Sequence, residues 1–151
     1  MKKVYLRLLF VLVLLVPLIT LSCGSLTTPR AGLNVIATVS QQTAGSMTFQ
    51  IGVENTGTKT ETLQFRSGQF FDIEVKDLSG HLVWKYSFNG YFATLVWGFE
   101  LAPGQSEVKE YVWNLTGNDE DPLPSGPYKA KIYITNSPRD EGLSKVVSLT
   151  I

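Results

Sequence analysis

His81 is the single histidine and Cys23 the single cysteine of this 151-residue chain, and that scarcity removes most side-chain chemistry at once. A hydrolytic triad needs its histidine beside a nucleophile and a carboxylate. No Gly-x-Ser-x-Gly elbow occurs, and His81 follows a turn, so it reads as an exposed turn residue. One histidine and one cysteine do not make a zinc site. The acidic run Asn118 to Asp121 offers oxygen ligands to a hard cation but lacks the spaced Asp-x-Asp-x-Asp-Gly loop that calcium binding uses. It reads as a solvated acidic loop, and no metal is expected. Asn114 begins an N-L-T triplet that formally matches the glycosylation acceptor, a match that means little if the chain is bacterial. The glycines mark turns and form no phosphate-cradling loop. The expectation is a non-enzymatic protein with no cofactor.

Cys23 is where covalent chemistry is expected. The chain opens with Lys2, Lys3 and Arg7, followed by a 14-residue apolar run from Leu8 to Leu21 that Pro17 interrupts. A membrane-spanning helix needs roughly 20 apolar residues, so this is a secretory signal and not part of the fold. Its end, "ITLSC", resembles the lipobox of bacterial lipoprotein signals, with Thr20 where leucine is commoner. The resemblance implies cleavage between Ser22 and Cys23 and a diacylglyceryl thioether on the Cys23 sulfur. A lone cysteine has no disulfide partner in an oxidising compartment, which agrees with that role. Residues 1–22 are therefore expected to be a lipoprotein signal peptide, and the polar stretch 23–32 a flexible tether. The product is expected outside the cytoplasm, lipid-anchored in the cell envelope. Gly24 follows the cysteine, with no aspartate there, so in a two-membrane bacterium the resemblance favours sorting to the outer membrane.

Without residues 1–22 the chain has ten basic and thirteen acidic side chains, a net charge of −3. That disfavours nucleic acid, which is bound through clustered cations.

From Leu33 onward the hydrophobic period is two. Leu33 to Val39, Met47 to Val53, Leu63 and Phe65, Phe71 to Val75, and Leu82 with Trp84 and Tyr86 read as five strands. "YFATLVWGFEL", "SEVKEYVWN", Tyr128 to Ile134 and Val147 to Ile151 read as four more. "DLSG" and "APGQ" supply turns, the second suited to a type II turn at Pro103-Gly104. Gly57, Gly68 and Gly80 stand where positive φ is expected. Strands that bury one face, with no helices to cover them, require two packed sheets. The reading is an all-β, immunoglobulin-like antiparallel β-sandwich of about nine strands over residues 33–151. Trp84, Trp97 and Trp113 supply core bulk. Tyr128, behind Gly126-Pro127, stands where sandwich tyrosines fasten a loop. Asp72 alternates to the face opposite Phe71 and Ile73, where it is either solvated or bonded to the Ser67–Gln69 turn.

The segment "LQFRSGQFFDIEVKDLSGHLVWKYS" resembles the signature region of the BsuPI-type intracellular proteinase inhibitor family. The matching elements are Phe65, Ser67-Gly68-Gln69, Phe71-Asp72-Ile73, Gly80 and Val83-Trp84. "VENTG" lies upstream, and Phe92, "LAPGQ", Trp113 and "GPYKAKI" lie downstream. The resemblance implies protein-based inhibition of serine proteinases, so the expected partner is a serine proteinase or another envelope protein. An exported chain departs from the family's intracellular setting. No reactive residue carries over. The segments that would present one are Leu115–Pro127 and "SFNGYFATLVWGF". The alternative is an envelope binding or structural module that takes glycans through exposed Phe88, Tyr91, Phe92 and Trp97, the competing role for those rings being core.

Overall fold

The computed structural model describes residues 32–43, 45–136, 138 and 143–151. The signal peptide, Cys23, the tether up to residue 31, and residues 137 and 139–142 of the "NSPRDEG" loop lie outside the described residues.

Nine strands follow in order: β1 Leu33–Thr43, β2 Ser46–Asn55, β3 Glu61–Phe65, β4 Phe71–Lys76, β5 Leu82–Lys85, β6 Trp97–Leu101, β7 Ser106–Trp113, β8 Pro127–Ile134 and β9 Ser144–Thr150. They form a three-stranded sheet β1-β2-β7, a four-stranded sheet β5-β4-β8-β9 and a separate pair β3-β6, all antiparallel. This is the anticipated β-sandwich, with β3-β6 inserted between a strand of one sheet and the next strand of the other.

The period-two residues make the core. Val35, Ala37, Phe49, Ile51 and Val53 face Ile73, Val75, Ala130 and Ile132, all buried. Trp84 stacks on Trp113 at 5.0 Å and on Tyr111 at 5.9 Å. The Trp113 indole N–H donates to Thr116 O at 3.1 Å, so its polar end is satisfied inside. Tyr128 closes the corner before β8, its hydroxyl donating to Pro124 O at 2.8 Å.

Buried Asn55 ties three segments together. Its amide donates to Lys59 O and Leu101 O, both at 2.7 Å, and its Oδ1 accepts Gly57 N–H at 2.9 Å. Gly57 is required there for space and not for positive φ: a Cβ would lie 3.0 Å from Gly32 Cα and 3.2 Å from Asn55 Oδ1. Gly68 also lacks positive φ, whereas Gly80 and Gly104 adopt it at 87° and 79°.

Two strand expectations change. Lys76 pairs with Leu82 but Val75 pairs with Trp84, so Val83 is a bulge. The extra residue turns Leu82 out to solvent and keeps Trp84 in the core. Tyr86 leaves the ladder, since Tyr86–Phe88 form a 3₁₀ turn. The sixth strand begins only at Trp97, and residues 89–96 run outside any ladder. Strand β7 ends its sheet. It directs the ion pair Glu107–Lys109, in register with core residues Val53 and Ile51, toward the inner face. Inward-pointing charge discourages edge-to-edge pairing.

Candidate functional site

Strand alternation sends Asp72, Glu74 and Lys76 of β4 to the outer face of the four-stranded sheet. Asp72 is nevertheless buried, because the turn Tyr86–Phe88 folds back over it. It neither stands in solvent nor bonds the Ser67–Gln69 turn. Oδ1 accepts the backbone N–H of Ile73 at 2.9 Å and of Ser87 at 3.0 Å. Oδ2 accepts the Tyr133 hydroxyl at 2.8 Å, and the Lys85 ammonium stands 3.6 Å away. Lys85 donates to Glu74 Oε1 at 2.9 Å. The pairing Asp72↔Tyr133 on β8 and Glu74↔Lys85 on β5 brings these groups together from three adjacent strands.

Burial, then the hydrogen bond to Asp72, pushes the Tyr133 phenol up to about 12, so it stays a donor at ordinary pH. Burial opposes the charge on Lys85, but the hydrogen bond to Glu74 and further contacts with Tyr133 and Asp72 win, and the ammonium is held well above its usual range. Burial likewise opposes the Glu74 charge, and Lys85 overcomes it, leaving that carboxyl below its usual value. The cluster is a satisfied polar network that fastens one segment of chain.

That segment is 86–96. Tyr86 anchors it inward, stacked on Phe71 at 4.8 Å and edge-on to Tyr111 at 4.8 Å. The Ser87 N–H is held by Asp72. Phe92 turns back against Tyr86 with ring centroids 5.5 Å apart. A Cβ on Gly90 would lie 2.7 Å from the tip of that ring, so glycine is what lets Phe92 tuck under. Ala93 O accepts Gly68 N–H at 2.8 Å. Trp97 stacks on Phe65 at 4.4 Å and donates to Ser67 O at 2.6 Å. Between these fixings, Phe88, Tyr91, Leu95 and Val96 stand exposed, Tyr91 completely. The four aromatics named from sequence thus divide: Phe88 and Tyr91 face solvent, Phe92 and Trp97 pack inward.

Leu115–Pro127, the other anticipated presenting segment, is held down. Asn118 acts as a strand mimic on the free edge of β5: its N–H donates to Val83 O at 3.1 Å and its Oδ1 accepts Lys85 N–H at 2.8 Å. Leu123 N–H donates to Leu115 O at 2.9 Å, and Leu115 is buried at a positive φ of 61°. Asp119, Glu120 and Asp121 stay exposed, as a solvated loop requires. His81 is exposed, with Nδ1 3.2 Å from Asp77 Oδ2. Among the described residues no group of three or more His, Cys, Asp or Glu is placed to hold a metal, and no helix is long and apolar enough to cross a membrane.

The described residues thus form an immunoglobulin-like sandwich that carries a protruding aromatic segment held by Asp72, Gly68 and Ser67. The family model described as BsuPI, intracellular proteinase inhibitor, matches residues 33–139, and the chain belongs to that family. Its function is accordingly of the proteinase-inhibitor kind, in a family that is typically non-enzymatic. No curated protein matches the chain in sequence. Among solved structures, a β-glucosidase from Erythrobacter marinus is similar at 12% identity and TM-score 0.42 over 78% of this chain, which spans 15% of that enzyme. A CARDB domain from Pyrococcus furiosus, in complex with di-metal ions, is similar at 14% identity and TM-score 0.40 over 78% of this chain and 90% of its own. An alkylpurine DNA glycosylase from Pseudomonas fluorescens is similar at 11% identity and TM-score 0.46, over 80% of this chain and 30% of its own. These likenesses carry no inference about ligand or activity.

Proposed function

We propose that the protein is a membrane-anchored, extracytoplasmic proteinase-inhibitor module that binds a serine proteinase through the exposed segment 86–96. The observation that carries this is the pairing of family membership with an aromatic segment fixed at Ser87, Ala93 and Trp97. A segment already ordered before docking loses little entropy on binding. The test is inhibition of a panel of subtilisin-like and other serine proteinases at micromolar protein. Silence across the panel removes the reading.

The anchor is Cys23. A basic, then apolar, then small-residue signal ends at a lone cysteine, and a polar tether precedes the first strand. Acyl chains contribute about 0.8 kcal/mol per buried CH₂, so two or three of them hold the protein on a membrane. Mass spectrometry of the mature N-terminus and fractionation of wild type and Cys23→Ser test this. An unmodified Cys23, or a wild type found wholly in the soluble fraction, overturns it.

A second reading, glycan binding, draws on a groove between β6 and β7 lined by half-buried Trp97 and Phe99 with Glu100, Gln105 and Glu107. Rings flanked by carboxylate and amide groups suit a sugar face. Tryptophan fluorescence titrated with cell-wall glycans tests it, and an unchanged spectrum counts against it.

A further inference from the structure

We infer that Tyr91 is the primary anchor of the inhibitory contact, and that the target is a serine proteinase whose specificity pocket is large and uncharged. This rests on the proteinase-binding reading above and deepens it. Residues 86–96, "YSFNGYFATLV", contain no charged side chain. A pocket built around a carboxylate to receive lysine or arginine finds no partner in them, whereas an apolar pocket finds an aromatic ring. Tyr91 is the fully exposed ring, and both its neighbours are committed to holding it there. Phe92 is wedged inward against Tyr86, in space that Gly90 leaves open. The chain on either side is pinned through Ser87 N–H to buried Asp72 and through Ala93 O to Gly68 N–H.

A rigid base with one projecting aromatic is how an interface places its dominant residue in a partner's pocket. Phe88, 63% exposed, and exposed Leu95 and Val96 belong to the same segment and offer further apolar surface to a partner. A lipid surface fits less well. Asn89 and Thr94 interleave the apolar residues, and the segment has no lysine or arginine to meet anionic headgroups.

The experiment measures inhibition constants of the full chain, purified in non-ionic detergent, against chymotrypsin, a subtilisin and trypsin. Wild type, Tyr91→Ala and Tyr91→Arg are compared, with thermal unfolding confirming that each is folded. The expected result is inhibition of chymotrypsin or the subtilisin and not of trypsin. Tyr91→Ala then weakens it by at least ~30-fold, the mark of a dominant interface residue. Tyr91→Arg gains activity against trypsin. If wild type inhibits and Tyr91→Ala inhibits equally well, the anchor assignment is wrong while the inhibitor reading stands. Inhibition confined to trypsin also overturns the assignment. If wild type inhibits none of the three, the inhibitor reading falls and takes the anchor with it. Unchanged inhibition by Tyr91→Ala, combined with weaker partition of that variant into phosphatidylcholine–phosphatidylglycerol vesicles, makes the segment a lipid contact and refutes the proposal.

Discussion

Truncating Asp72 to alanine removes the acceptor of three hydrogen bonds in one step. Tyr133 loses its 2.8 Å acceptor and retains the longer contact to Glu74 Oε1 at 3.5 Å, Ser87 and Ile73 lose the acceptor of their N–H groups, and Lys85 loses one of its two carboxylates. A buried donor left unpaired costs about 1–3 kcal/mol. Tyr133 is buried and Ser87 half-buried, so those two donors account for most of the effect. Lys85 keeps Glu74 at 2.9 Å, which limits the electrostatic part. The total comes to about 3–5 kcal/mol, a large share of the 5–15 kcal/mol that holds a typical domain. Asp72→Asn separates geometry from charge. The amide oxygen still accepts from Ser87 and Ile73, and the Tyr133 hydroxyl can turn to accept from the new NH₂. Only the facing of two donors, NH₂ and the Lys85 ammonium, is unfavourable, so the cost is about 1–2 kcal/mol. Urea unfolding of wild type and both variants, with the slope of free energy against denaturant held constant, gives the numbers. Hydrogen exchange at the Ser87 N–H should accelerate in Asp72→Ala and stay slow in Asp72→Asn. Equal losses for the two variants would show that charge, not acceptor geometry, holds the 86–88 turn. Losses near zero in both would refute the network altogether.

Asn55→Ala should destabilise by about 2 kcal/mol, since it removes the side-chain donor from the Lys59 and Leu101 carbonyls, while the Gly57 N–H keeps Gly32 O at 3.1 Å. Denaturant unfolding checks this, and a loss below about 1 kcal/mol would mean water replaces the amide. The pH profile follows from the same cluster as Asp72. Tyr133 and Lys85 are raised above their ordinary 10.0 and 10.5, so their stabilisation is complete below those values and lost as pH rises past them. Glu74, lowered from 4.5, contributes above that value and loses its contribution as pH falls. Tyr133→Phe should be less stable near neutrality by about 1.5–3 kcal/mol but lose less between pH 10 and 12, a comparison made by thermal unfolding across pH. An identical alkaline slope in both proteins would count against the raised phenol. Gly90→Ala should displace the Phe92 ring at a cost of about 1 kcal/mol, yet raise the inhibition constant several-fold, because the support beneath Tyr91 shifts. Inhibition and unfolding measured on the same sample separate the two effects.

Period two is written into each strand by its own residues, so Val35 to Val53, Phe71 to Val75 and Tyr128 to Ile134 show their buried faces with no knowledge of partners. Turn chemistry is equally local: Gly104 after Pro103 and Gly80 after Leu78-Ser79 specify their positive φ within four residues. Tyr128 is legible for the same reason, its partner Pro124 lying four residues back. The sequence by itself therefore determined the sandwich, its family signature and the segments able to present a contact. Which of them stands exposed was decided by pairings remote in sequence. Asp72 is polar on an outward face, and only the return of residues 86–88, fifteen positions on for Ser87, buries it. Asn118 is one more polar loop residue until β5, thirty-three positions earlier for Lys85, lends it a strand edge. Phe88, Tyr91, Phe92 and Trp97 are alike in hydrophobicity, and what separates exposed from packed is which ring finds Tyr86 or Phe65 beneath it. Composition records that a residue can be buried. Burial itself depends on what covers it, and only the folded chain brings the cover into place.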